Sequence, residues 1–364
     1  MNVQAPGDDP ADGEKMHLFD DGDELYASMC GDIEAARESI RLEMYLFAAD
    51  EAGWPIIGRL CARARDGVRV EVRVDSIGSM LRLGMRARRR LRRAGVRLTG
   101  APCPVWRQLV NPGRRDHRKL LIVDGRVAYL GGFNIHRQCS QRSYGARRWR
   151  DLHVRFRGGL VNDAVDAFDT YGAGQLDWQP ARGGSPLLIG NHSRECRFRL
   201  YCRSVAGLAS ARRRIWIASP YFVPNRGITG QLRRAAQRGV DVRLQIPAGG
   251  DVPVVGWATA ISAHRLAKAG VRVYRYLPRM NHAKSIVVDD DWASVGTANV
   301  DYRSLFTNDE LNLISRSASL NRRLAQWFEA GFAESTTLSP NAPTEAFSDR
   351  PLVRWLVWKL RRWL

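Results

Sequence analysis

The chain repeats itself, and that duplication limits what it can fold into more than any other feature. Ser39-Ile40-Arg41-Leu42-Glu43-Met44-Tyr45-Leu46-Phe47 reads as an apolar strand. A helix-like stretch to Asp66 follows, then the alternating strand Gly67-Val68-Arg69-Val70-Glu71-Val72-Arg73-Val74-Asp75. The second half answers with Arg214-Ile215-Trp216-Ile217-Ala218-Ser219-Pro220-Tyr221-Phe222, a helix-like stretch, and Gly239-Val240-Asp241-Val242-Arg243-Leu244-Gln245-Ile246. A third match pairs Arg93-Ala94-Gly95-Val96-Arg97 with Lys268-Ala269-Gly270-Val271-Arg272, and the three offsets are 175, 172 and 175 residues. Strands alternating with helices in each copy predict an α/β fold of two similar halves, each on a mostly parallel sheet buried on both faces. Two such halves are expected to pack together with a site between them.

Near the end of each half stands His, one residue, Lys, four residues, Asp: His117, Lys119 and Asp124, then His282, Lys284 and Asp289. The copies lie 165 residues apart, and an Asn follows each His by 17 residues, in Gly131-Gly132-Phe133-Asn134 and Gly296-Thr297-Ala298-Asn299. Residues two apart on a strand share a face, so each His projects with its Lys. The chain holds only 5 Lys among its 57 basic residues, and two of the five are in these motifs. A compact ammonium is wanted there rather than a guanidinium fork. Joining the halves would gather two His, two Lys and two Asn. Ammonium and amide donors suit a phosphate, and a histidine pair suits a nucleophile with an acid/base partner. The expected chemistry is phosphoryl transfer without a metal or other cofactor; the six Cys show no zinc-ligand spacing and are expected to be reduced thiols.

These paired motifs resemble the phospholipase D superfamily. Ile217-Ala218-Ser219-Pro220-Tyr221-Phe222-Val223-Pro224, Ala298-Asn299-Val300-Asp301-Tyr302-Arg303-Ser304-Leu305 and Trp149-Arg150-Asp151-Leu152 are similar to its bacterial cardiolipin synthase branch. The resemblance spans about residues 15 to 335. It implies two phospholipase D-type α/β/α halves related by a pseudo-twofold axis, 16–185 and 186–335, and a covalent two-step mechanism. His117 would be the nucleophile and His282 the acid/base, with Lys119, Lys284, Asn134 and Asn299 on the phosphate oxygens. An acidic residue downstream of each motif orients the other half's His in the family; Asp151 would serve His282 and Glu310 would serve His117. Asp124 and Asp289 complete the catalytic motif, though bracing the turn is the role their position favours. One departure is Asn308-Asp309-Glu310, where the branch carries an apolar residue in the middle. Glu43, on an apolar strand, either lines the site or pairs with a buried Arg.

An apolar fraction of 45% with 11 Trp and 11 Phe excludes a disordered chain, and the formal charge of +20 implies a negatively charged partner, nucleic acid or anionic lipid. Seven Arg between Arg82 and Arg93 form one basic face. After an acidic tail (1–15) and the two halves, 336–349 reads as a linker. The segment 350–364 reads as an amphipathic helix with Leu352, Leu356 and Leu360 on one side and Arg354, Arg361, Arg362, Trp355 and Trp358 on the other; Trp363 joins the apolar side. With no signal peptide or transmembrane run in the sequence, the expectation is a peripheral enzyme on the cytoplasmic face of the inner membrane. Its expected partners are phosphatidylglycerol, cardiolipin and the membrane surface, with no obligatory nucleic acid and an oligomer left open. The reaction implied joins two phosphatidylglycerols into cardiolipin and glycerol. A phospholipase D-type hydrolase or nuclease, and a non-catalytic basic binder, are the alternatives. Val252 to Ala263 is the expected wall of a dry entrance.

Overall fold

The computed structural model describes residues 16–100, 114–175, 178–179, 184–191 and 198–341. The predicted acidic tail, most of the linker and the tail helix with Arg354, Trp355, Trp358, Arg361, Arg362 and Trp363 lie outside the described residues. The first sheet has seven strands: β1 (Met16–Phe19), β2 (Ser39–Met44), β3 (Arg69–Val74), β4 (Arg97–Gly100), β5 (Lys119–Val123), β6 (Val127–Gly131) and β7 (His153–Arg157). Their spatial order is β1-β7-β6-β5-β2-β3-β4. The second sheet holds β8 (Leu187–Gly190), β9 (Arg214–Ala218), β10 (Asp241–Pro247), β11 (Arg272–Tyr276), β12 (Ser285–Val288), β13 (Trp292–Gly296), β14 (Leu311–Ser315) and β15 (Ser335–Thr337). Its order, β15-β11-β10-β9-β12-β13-β14-β8, is the same arrangement with one added edge strand.

The sheets are mixed, not mostly parallel as the repeat suggested. Only β2-β3-β4 and β9-β10-β11 run parallel, because helices Gly53–Arg65, Met80–Arg93, Arg226–Gln237 and Pro253–Ala267 carry the chain across between them. The motif strands β5 and β12 turn back within a few residues, and so short a return enforces antiparallel pairing with β6 and β13. Ser335–Thr337 pairs with β11 as an edge strand, so ordered structure extends into the first residues of the predicted linker.

Three large apolar clusters stack through the molecule, beside a small fourth one of Val223, Ala258 and Ile261. The outer two lie between each sheet and its crossover helices. The middle one belongs to both halves: Leu120, Ile122, Leu130 and Val154 meet Ala283, Val287, Val295 and Leu313 in a single core. Helix Leu160–Gly172 touches β5, β6 and β7 and also β8, while helix Ala318–Ala333 touches β11, β12 and β13 and also β1. Each central helix thus clamps its own sheet to an edge strand of the other. Among the described residues no helix is long and apolar enough to cross a membrane.

Candidate active site

Two backbone bridges between the halves deliver the chemistry. In one, Asp116 pairs with Asp309: His117 N–H donates to the Asp309 carbonyl at 2.9 Å, and Asp309 N–H donates to Arg115 at 2.7 Å. In the other, Arg150 pairs with Asn281: Arg150 N–H donates to Met280 at 2.9 Å, and His282 N–H donates to Arg150 at 2.7 Å. A bridge that seats His117 therefore also seats the next residue of the partner strand, Glu310. The same logic joins His282 to Asp151.

The side chains follow. His117 Nδ1 lies 3.0 Å from Glu310 Oε2 and 3.1 Å from the Thr297 carbonyl, and His282 Nδ1 lies 2.7 Å from Asp151 Oδ2. A carboxylate on Nδ1 accepts a hydrogen bond from its N–H and leaves Nε2 of each ring as the working atom. Lys284 Nζ also lies 2.8 Å from His282 Nδ1. An ammonium has only donors, so the Nδ1–H belongs to Asp151, and Lys284 directs protons to the His282 carbonyl. Lys119 Nζ likewise donates to the His117 carbonyl, at 2.8 Å.

Four potential cations thus occupy a buried space with two carboxylates, and the electrostatics record it. Burial, reinforced by Lys284, pulls Lys119 down to about 7. Burial also pulls Lys284 down, and holds both imidazoles below the ordinary histidine value. Burial raises Asp151 to about 6. Burial pushes Glu310 up as well, but there the His117 charge, its hydrogen bond and Lys119 win, and the carboxylate stays below its usual range. A phosphodiester entering this space would supply the missing negative charge.

Aromatic rings wall both histidines. Tyr45 meets His117 edge-on at 4.7 Å between centroids, and Trp149 lies tilted over His282 at 4.9 Å. Thr297 Oγ1 donates to Glu310 Oε2 at 2.6 Å, and Asn312 Oδ1 accepts the Thr297 and Ala298 N–H groups at 3.1 Å each. Sequence reasoning did not assign roles to Tyr45, Trp149, Thr297 or Asn312; Thr297 and Asn312 stand close in sequence to Asn299 and Glu310, while the two rings reach the histidines only through the fold.

The glycines after each motif are required by close approach. A Cβ on Gly132 would stand 2.0 Å from Asp151 Oδ1, and one on Gly296 would stand 2.4 Å from Asn312 Oδ1. The two asparagines are not presented alike. Asn134 spends its Oδ1 on Leu46 N–H at 3.1 Å and keeps its NH2 group for other acceptors. Asn299 bonds to Asp301, and its Oδ1 is buried without a hydrogen-bond partner.

Asp124 and Asp289 sit at the far ends of the motif strands and touch no reacting group. Each holds a left-handed backbone, φ 52° and 49°. Asp124 accepts the N–H groups of Arg37, Glu38 and Ser39 at 2.7–2.9 Å, and Asp289 those of Arg212, Arg213 and Arg214 at 2.8–2.9 Å. Three amides per carboxylate explain why both acids stay low despite partial burial. They tie the hairpin to the start of β2 or β9 rather than doing chemistry, which corrects their inclusion in the catalytic set.

Glu43 is fully buried and pairs with Arg118 at 2.7 Å and Arg73 at 3.1 Å. The unusual Asp309 has its own answer: both carboxylate oxygens face Arg114 Nε, at 2.6 and 2.7 Å, and Tyr171 donates to it at 3.0 Å.

Two halves, each lending the other a carboxylate for its histidine, define the phospholipase D superfamily. A family model described as cardiolipin synthase, phospholipase D-like domain, matches residues 29–145 and 205–331. A probable cardiolipin synthase of Bacillus subtilis, YwiE, is 33% identical over 348 residues, covering 89% of this chain and 67% of the relative. A cardiolipin synthase of Clostridium perfringens is 30% identical over 365 residues, covering 93% and 74%. The chain belongs to this phospholipase D-like cardiolipin synthase family. Among solved structures, the phosphatidylserine synthase of Haemophilus influenzae shares the fold with a TM-score of 0.73 at 14% identity, covering 95% of this chain and 93% of that one. A polyphosphate kinase from Porphyromonas gingivalis reaches 0.64 at 17% identity, covering 95% and 53%.

Proposed function

We propose that this chain is a phosphatidyltransferase that makes cardiolipin and glycerol from two phosphatidylglycerols, with both histidines working through Nε2. The observation that carries the reading is the crossed pairing of His117 with Glu310 and His282 with Asp151 around two buried ammoniums. The first lipid's phosphodiester lies between Lys119 and Lys284, whose charges stabilise the oxygens as negative charge builds on them. His117 Nε2 bonds to phosphorus while the bond to the headgroup glycerol breaks, and His282, whose protonated form the negative charge of the bound phosphodiester favours, gives its Nε2 proton to the departing oxygen. His282 then removes a proton from the hydroxyl of a second lipid. That oxygen attacks phosphorus, the P–N bond breaks, and His117 is restored. The ionised Glu310 favours His117 as nucleophile, because a phosphorylated imidazole carries positive charge that an anion behind it stabilises.

The two halves, 16–185 and 186–335, are read as pseudo-twofold copies. The protein works as a peripheral enzyme at the cytoplasmic side of the membrane, held there by the basic tail from Arg350. Labelled phosphatidylglycerol vesicles test the reading: wild type should yield cardiolipin and His117→Ala none. Phosphatidic acid as the sole product would replace transfer with hydrolysis. DNA cleavage without lipid turnover would replace the lipid reading altogether.

A further inference from the structure

A cavity of about 570 Å³, lined in part by His136, lies two aromatic rings away from His282. Trp54, Leu81, Arg82, His136, Arg137 and Gln138 are among its lining residues. Its floor reaches the chemistry through two ring contacts: His136 meets Trp149 edge-on at 5.1 Å, and Trp149 lies over His282 at 4.9 Å. Arg82 and Arg137 supply exposed positive charge at the rim, and the Arg82 charge is felt at the His136 imidazole. Two acids also line it: Asp50, whose carboxylate is committed to the backbone N–H groups of Ala52, Gly53 and Arg137 at 3.1, 3.1 and 2.7 Å, and Glu51, which is exposed at the rim.

The mouth is apolar where it meets solvent. Leu81, in the lining, is 84% exposed and Met85, four residues on, 63% exposed, on the helix whose Leu83, Ala87 and Leu91 face the core. Gly84, at φ 62° and ψ 162°, breaks the helix there and sets Leu81 and Arg82 in a separate first turn over the cavity. Arg86 and Arg90 cover the Trp54 ring from outside, each 5.8 Å from its centroid. Large apolar side chains left exposed inside a basic surface match a lipid interface, where apolar groups enter the acyl boundary and arginines stay with the phosphates.

We propose that this cavity is the acceptor subsite, binding the second, anionic phospholipid by its own phosphate at Arg82 and Arg137 while its free hydroxyl reaches past Trp149 to His282. The proposal rests on the transfer reading and deepens it, since hydrolysis needs no second lipid. The donor's phosphate belongs to the two lysines and the acceptor's to two arginines on the other side of Trp149. Leu81 and Met85 let the acceptor's chains remain in the bilayer.

The test is product partition. Full-length wild type, Arg82→Ala/Arg137→Ala and Arg82→Lys/Arg137→Lys are incubated with labelled phosphatidylglycerol vesicles, and cardiolipin and phosphatidic acid are counted in the same reaction. Arg322→Ala, an exposed charge on the helix Ala318–Ala333, controls for lost positive charge. Both rim arginines are exposed, so the double alanine variant should melt with wild type. Its ratio of cardiolipin to phosphatidic acid should fall about tenfold or more, as loss of charge-assisted phosphate contacts implies. The lysine pair should keep most of the ratio, and Arg322→Ala all of it. Equal falls in both products, an unchanged ratio, or the same fall in Arg322→Ala would overturn the subsite while leaving the transfer reading intact. Wild type that releases only phosphatidic acid would end both.

Discussion

Lys119→Met should yield an enzyme that is nearly inactive and more stable than wild type. Lys119 is fully buried, with its ammonium near that of Lys284 and one hydrogen bond to the His117 carbonyl. Folding lowers it from 10.5 to about 7, which at pH 7 corresponds to a cost on the order of 4 kcal/mol for keeping the charge inside. Methionine fills similar space without charge. It leaves the His117 carbonyl without that donor, which offsets about 1–3 kcal/mol, so the net gain should be roughly 1–3 kcal/mol. The sign fixes the pH window. Below pH 7 both folded and unfolded chains carry the proton and the full penalty stands. As pH rises from 7 towards 10.5 the folded chain sheds it first, so wild type regains stability and the variant's advantage shrinks. Urea midpoints at pH 7 and pH 9.5, with turnover of phosphatidylglycerol vesicles, measure both effects. Turnover should fall at least 10²-fold, as for loss of one group that stabilises transition-state charge. A variant less stable than wild type at pH 7, or an advantage equally large at pH 9.5, would refute the electrostatic argument.

The remaining expectations concern the same centre and its supports. The free enzyme's kcat/KM should be bell-shaped in pH: the alkaline limb near 7 follows Lys119 losing its proton, and the acid limb below 6.5 follows His117 gaining one; a profile flat from pH 6 to 8.5 would contradict this. Gly132→Ala should press Asp151 away from His282 and lower kcat by 10²-fold or more, since small misplacements cost that much; full activity would mean the loop yields freely. Arg114→Ala should destabilise by about 1–3 kcal/mol by stripping Asp309 of its cation, discounted because Arg114 is one-third exposed; an unshifted urea midpoint would show the pair is silent. Deleting 350–364 should weaken vesicle binding more than cleavage of a soluble phosphodiester; equal losses would remove the anchor role.

The sequence revealed much of this because the duplication left a measurable trace. Matched offsets located β2, β3, β9 and β10, and strand periodicity put His117 with Lys119 and His282 with Lys284 on common faces. The antiparallel half of each sheet was harder to read. Parallel and antiparallel strands that are buried on both faces look alike in sequence, and only the short return at Asp124-Gly125 or Asp289-Asp290 separates them. The crossed carboxylates came from resemblance, since no local pattern can announce that Asp309 will pair with a residue 193 positions earlier. Trp149 and Tyr45 stayed unassigned for the same reason: a ring against an imidazole is a product of tertiary approach, not of spacing. The motif aspartates belong to the pattern, yet the turn-bracing role their position favoured is the one that three backbone amides apiece account for.

The single core shared by the two sheets has a kinetic consequence. Leu120 and Ile122 beneath one histidine and Ala283 and Val287 beneath the other pack into the same interior, so the gap between the imidazoles is set during folding. Among the described residues the two halves are not independent bodies that a substrate could close on a hinge. With the halves locked together, the slow step should be the traffic of lipids through the site rather than closure of one half on the other. Its temperature dependence should then break where the bilayer's acyl chains melt, with the membrane rather than the protein acting as the moving part.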